Sequence, residues 1–147
     1  MNHTAKKLLA RVWEIVLAVG LLGLVITTAP YVEQHINPVM VSSDTVLTKI
    51  EPQGYLATIV EGSAIRKRDC TFESLRWYYG VRGERAVNIG VRFLEGPKIR
   101  PSGHMEFGPW KLQISADRIE QTFADVFHQC RVFGIKLPWL SRSSFYK

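Results

Sequence analysis

The run Val12–Ala29, VWEIVLAVGLLGLVITTA, constrains this chain more than any other feature. It carries one charge, Glu14, within a turn of its start. At 1.5 Å per residue a helix of this length spans about 27 Å, close to the hydrocarbon thickness of a bilayer. From Ile15 to Ile26 there is no polar stripe, so a helix lying against a soluble core is disfavoured. Trp13 and Tyr31 flank the run, where aromatic rings favour the membrane interface. Lys6, Lys7 and Arg11 precede it, and no Lys or Arg follows until Lys49. This asymmetry predicts a cytoplasmic N-terminus and a single-pass anchor in an inner or plasma membrane, with the rest periplasmic or extracellular. A cleaved signal peptide is the competing reading; Thr27 and Ala29 suit a cleavage site, but Pro30 directly after it does not. Gly20 and Gly23 stand three apart rather than four, so they make no helix-dimer motif.

The pattern divides the chain into a basic tail (1–11), a membrane helix (12–29), a linker (30–44) and an exported domain (45–147). Pro30, Asn37-Pro38 and the Ser42-Ser43-Asp44 cluster argue that the helix ends before the linker. The domain is long enough for one core. A net charge of +6 over 147 residues is mild, suits anionic neighbours such as lipid head groups, and is no nucleic-acid signature.

After Asp44 the periodicity is mostly two, the period of strands. Strands are predicted over Val46–Ile50, Tyr55–Val60, Ala64–Cys70, Thr71–Tyr79, Val87–Phe93 and Trp110–Ile114, with a final edge strand over Ser141–Tyr146. Turns are expected at Pro52-Gln53-Gly54, Glu61-Gly62-Ser63 and Gly80–Gly83, and a loop from Gly96-Pro97 to Gly108-Pro109. Ala116–Phe133 fits two patterns. Ile119, Phe123, Val126, Phe127 and Cys130 share a helical face, and Asp117 with Glu120 looks like a capping box, so a short helix over 117–132 is one reading. The same residues alternate as a strand, which the surrounding pattern favours. The expected fold is mainly β: a transmembrane helix followed by an antiparallel β-sandwich.

Cys70 and Cys130 are the only cysteines, and an even count in an exported domain reads as one structural disulfide. Redox catalysis and zinc binding both need closer or more numerous partners. The segments Arg68-Asp69-Cys70, Gly108-Pro109-Trp110-Lys111-Leu112, Phe127-His128-Gln129-Cys130 and Leu137-Pro138-Trp139 give the chain a loose similarity to small phage-encoded or bacterial membrane-anchored proteins with a sandwich domain. With Trp77 following Cys70, it also resembles an immunoglobulin-like sandwich. That resemblance implies an inter-sheet disulfide beside a core tryptophan, and a membrane-associated accessory role with no common enzymatic activity.

No catalytic motif is present. Ser63 and Ser102 lack a nucleophile elbow, and there is no phosphate-binding or dinucleotide fingerprint. Glu61, Asp69, Glu73, Asp117 and Asp125 read as solvated charges. No cofactor is implied, although His104, Met105 and His128 are residue types that a copper site uses. Arg66-Lys67-Arg68 is the densest charge run, expected as a solvated strand edge or as a contact for an acidic partner. Trp77 and Tyr78, with Tyr79, place at least one ring outward, so Arg66, Lys67, Arg68, Trp77 and Tyr78 form the candidate partner-binding set. The expected function is a non-enzymatic binding or assembly module whose partners are membrane lipid and another envelope or membrane protein. The alternatives are a metal-binding or enzymatic sandwich, and a phage lysis or superinfection accessory acting through its helix.

Overall fold

The computed structural model describes residues 3–95, 102–132 and 134–147. Helix α1 spans His3–Ile36, and its Leu9–Ile36 portion is long and apolar enough to cross a membrane, with its apolar 18-residue window not buried by the rest of the chain. Lys7, Arg11, Trp13 and Tyr31 are exposed on it, and the Lys6 side chain lies outside the described residues. The helix does not stop at Pro30 as the sequence suggests but runs on to Ile36. An internal proline costs a helix about 3 kcal/mol. Tertiary contacts at Glu33, described below, oppose that cost, and Asn37 N–H donates to the Glu33 carbonyl at 3.1 Å.

Ten strands follow. They are β1 (Val46–Pro52), β2 (Thr58–Arg66), β3 (Thr71–Tyr79), β4 (Val87–Ile89), β5 (Val91–Phe93), β6 (Gly103–Leu112), β7 (Thr122–Gln129), β8 (Arg131–Val132), β9 (Ile135–Lys136) and β10 (Ser141–Tyr146). All pairings are antiparallel, with orders β1-β2-β6-β5 in one sheet, β10-β7-β3-β4 in the other, and β8-β9 as a small hairpin. The mainly β fold expected from the period-two pattern is present. Between the sheets, Val60, Trp77, Leu112, Ile119 and Phe145 are fully buried. Trp77 donates its indole N–H to Thr122 Oγ1 at 2.8 Å, so its one polar atom is satisfied.

Several local expectations are corrected. Glu61-Gly62-Ser63 does not turn: β2 runs straight through it. Gly62 is there because a Cβ would lie 2.3 Å from the Val46 carbonyl oxygen and 2.5 Å from the Phe107 ring. Gly103–Pro109 is strand rather than loop, and the other end of that loop, Gly96-Pro97, lies outside the described residues. Gly108 and Pro109 occupy a bulge in β6, where the register jumps between Val60↔Trp110 and Gly62↔Phe107. Gly108 takes a φ of +96° that a side chain would resist. Val87–Phe93 is not one strand; the chain changes sheets at Gly90, where a Cβ would meet the Gln113 amide. In the ambiguous segment a 3-10 turn at Ala116–Gln121 leads into strand β7.

Cys70 and Cys130 form a disulfide. It does not join the two sheets. Thr71 pairs with Gln129, so the next pair outward is Cys70 with Cys130, across the end of one β3–β7 ladder. Their Cα separation of 4.4 Å matches the value of about 4.5 Å for directly opposed, non-hydrogen-bonded residues. Trp77 is seven residues up β3, roughly 23 Å away, and does not pack on the bridge as the immunoglobulin resemblance implies. The bridge closes a loop of 60 residues, worth about 4 kcal/mol in a chain-entropy account. Reduction is expected to lower the melting temperature on the order of 15 °C. Circular-dichroism melts with and without reductant check this, and superimposable curves would remove the disulfide from the stability account.

Candidate functional site

The basic run at the end of β2 is used inside the molecule. β2 alternates faces, and Thr58, Val60, Gly62, Ala64 and Arg66 all point inward. Arg66 is therefore 9% exposed, with its Nε donating to the Arg68 carbonyl at 3.0 Å. Lys67 lies 3.4 Å from Asp44. Arg68 donates from Nη1 to Glu33 Oε1 at 2.8 Å and to the Asn37 carbonyl at 2.9 Å. The second Glu33 oxygen accepts from the Trp139 indole at 2.7 Å. Charge-assisted bonds of this kind contribute about 1.5–3 kcal/mol each when partly shielded from water. Within the run, Arg68 thus fastens α1 to the sandwich, Arg66 is buried, and Lys67 alone is exposed as a solvated edge would have it.

The aromatic pair Trp77 and Tyr78 separates across the sheet. Trp77 is fully buried and offers nothing to a partner. Tyr78 lies on the outer face of the β10-β7-β3-β4 sheet, half-buried, and stacks on Phe123 with ring centroids 5.0 Å apart. Around it sit residues that sequence reasoning did not select. The Arg82 guanidinium lies over Phe123 at 4.7 Å, and Arg76 over Phe127 at 5.0 Å. Asp125, expected as a solvated charge, is fully buried between Arg82 and Arg142, with Arg142 Nη2 at 2.5 Å. Arg82 also donates to Ser144 Oγ and the Lys147 carbonyl, each at 2.9 Å. The signal for this face was the apolar alternate set Phe123 and Phe127 on β7, which leaves neither side of that strand plainly polar.

A third feature lies between the sheets: a cleft of about 320 Å³ lined by Met40, Arg66, Phe72, Met105, Trp110 and His128 among others. β4 pairs only with Trp77–Tyr79, and β5 only with Trp110–Leu112. His128 is 2% exposed, meets the Phe72 ring edge-on at 6.1 Å, and its Nδ1 has no hydrogen-bond partner. Burial, and then the neighbouring Arg66 charge, push its pKa down to about 4. The imidazole is therefore neutral at neutral pH. His104 is exposed on β6 while the next residue, Met105, lines the cleft, so His104 and His128 do not converge. Among the described residues no three His, Cys, Asp or Glu side chains are grouped to hold a metal ion.

Comparison with protein-family models, with curated proteins and with solved structures finds no match for this chain.

The buried histidine carries a pH signature. Its folded pKa lies below the unfolded value of 6.5, so between pH 6.5 and 4 the unfolded chain binds the extra proton and stability falls with pH. The depression corresponds to about 3 kcal/mol, most of it lost as the pH falls to 4 and the rest below that. A His128→Leu variant should lose stability less steeply over that window in denaturant titrations at stepped pH. Parallel profiles for the two proteins would contradict the assignment.

Proposed function

We propose that this chain is a single-pass, membrane-anchored, non-enzymatic binding module whose sandwich meets another envelope or membrane protein outside the cytoplasm. The observation that carries the reading is the arginine–aromatic outer face of the β10-β7-β3-β4 sheet. Half-buried Tyr78 and Phe127 beside Arg76 and Arg82 are the residue types enriched at the energetic centres of protein interfaces. Their ring and guanidinium positions are already set by intramolecular stacking and by Asp125, which reduces the ordering cost of association. Anchoring keeps the module in a thin layer and raises its effective concentration toward membrane partners. The disulfide supports an oxidising compartment, and the basic residues ahead of the span support a cytoplasmic N-terminus. The two strand orders support reading the sandwich as immunoglobulin-like.

Two measurements test this. Protease digestion of a C-terminally tagged chain should cut the domain only after the outer barrier of the cell is opened, while the anchor stays intact. Protection until detergent is added would place the domain in the cytoplasm. Site-specific photocrosslinking in intact cells should then give a discrete heavier adduct from position 78 and none from the exposed His104 position on the other sheet. Identical results from both positions would deny the outer face any special role.

A further inference from the structure

The cleft is lined mostly by apolar side chains, with Arg66, His128, Glu73 and Glu95 as its charged or polar members, and strand registers order its walls. On one wall Arg66 bridges to Met40 and pairs with Gly103, Ala64 pairs with Met105, and Val60 pairs with Trp110 beyond the bulge. On the facing wall His128 pairs with Phe72, and Val126 with Leu75. Arg66, His128 and Met40 therefore form one end, Met105 and Val126 the middle, and Trp110 with Phe93 and Phe145 the far end. Phe93 stands edge-on to Trp110 at 5.4 Å and to Phe72 at 6.1 Å, so rings line that end.

The end with Arg66 and His128 is also the helix end. Met40 follows α1 by four residues, and the N–H groups of Val39 and Met40 both donate to the Ser143 hydroxyl, at 3.1 and 3.4 Å. Arg68, two residues from Arg66, holds Glu33 in the last turn of α1. If α1 enters a bilayer, this is the end of the cleft nearer to it, since Met40 follows the helix by four residues. His128 is among the residues that line this end of the cleft, with its own Nδ1 buried and without a hydrogen-bond partner. A cavity of about 320 Å³ is at the small end of ligand sites and suits one chain rather than two.

We propose that this cleft binds a single alkyl chain of an amphiphile. The chain lies along Met105, Phe93 and Trp110, and the polar head sits at His128, toward the membrane. The occupant is a fatty acid or monoacyl lipid, or one chain drawn from a bilayer lipid; the shared chemistry is an apolar tail below a hydrogen-bonding head. This rests on the membrane-anchor reading above, and the test separates the two.

The full chain is placed in phosphatidylcholine nanodiscs containing palmitate that carries a chain diazirine. A second preparation contains phosphatidylcholine carrying the same photoreactive chain. After illumination, adducts are mapped by peptide mass spectrometry. The expected result is labelling at Phe93, Met105 or Trp110 by photoreactive palmitate, lost when unlabelled palmitate is added in excess, alongside helix labelling that persists. Cleft labelling by the diacyl probe alone would also support the inference and identify the bilayer as the source. Labelling confined to Val12–Ala29 with both probes would overturn the cleft proposal and leave the anchor standing. Cleft labelling without helix labelling would overturn the anchor and leave the cleft. No labelling at either place would overturn both. A Met105→Trp variant, which fills the middle of the cleft, should lose cleft labelling and keep helix labelling, and unchanged cleft labelling in it would contradict the proposed path.

Discussion

The carboxylate of Glu33 joins the two halves of this molecule. It sits in the last turn of a helix whose apolar window is not buried by the domain, and its two oxygens accept from Arg68 on one segment and Trp139 on another. Those segments are themselves tied together two residues away, because Cys70 and Cys130 are bridged and Leu137 N–H donates to the Cys130 carbonyl at 3.0 Å. Lys67 N–H donates to the Val39 carbonyl at 2.8 Å, which seats the chain leaving the helix against the end of β2. The disulfide and the Glu33 contacts thus act on one assembly. The bridge holds the loops that present the donors, and the donors hold the helix. α1 continues past Pro30 to the turn in which these contacts are made.

Much of the fold is legible in the residues. The apolar run, the strand patterns at β1, β3 and β10, and the paired cysteines each point to the element found, whereas most of β6 reads as a loop. What is not legible is where alternation crosses a boundary that only tertiary structure defines. Glu61-Gly62-Ser63 has turn composition, but Gly62 is selected by the approach of Phe107 and the Val46 carbonyl, not by a turn. Val87–Phe93 alternates without a break, yet Gly90 lets the chain step from one sheet to the other. The cysteine count predicts a bond without saying whether it joins sheets or rungs of one ladder.

The candidate site is less legible, and for an electrostatic reason. A run of three basic residues is ordinarily solvated, because burying a charge is costly unless it finds a partner. Here the partners are distant in sequence: Glu33 lies 35 residues before Arg68, and Asp125 lies 43 after Arg82. Pairing at such separations has no local signature. Trp77 and Tyr78 show the opposite case. Strand alternation requires one inward ring and one outward ring, and Trp77 took the core because a partner for its N–H was available in Thr122.

The central claim is that helix and sandwich move as one body through Glu33. Pulsed dipolar spectroscopy on the full chain in nanodiscs tests it directly, with genetically encoded spin labels at the exposed positions Leu22 and Tyr55. The account predicts a single narrow distance distribution that broadens when Glu33→Ala is introduced. A distribution already as broad in the unsubstituted chain would mean that the domain swings freely on its anchor, and the junction described here would not hold it.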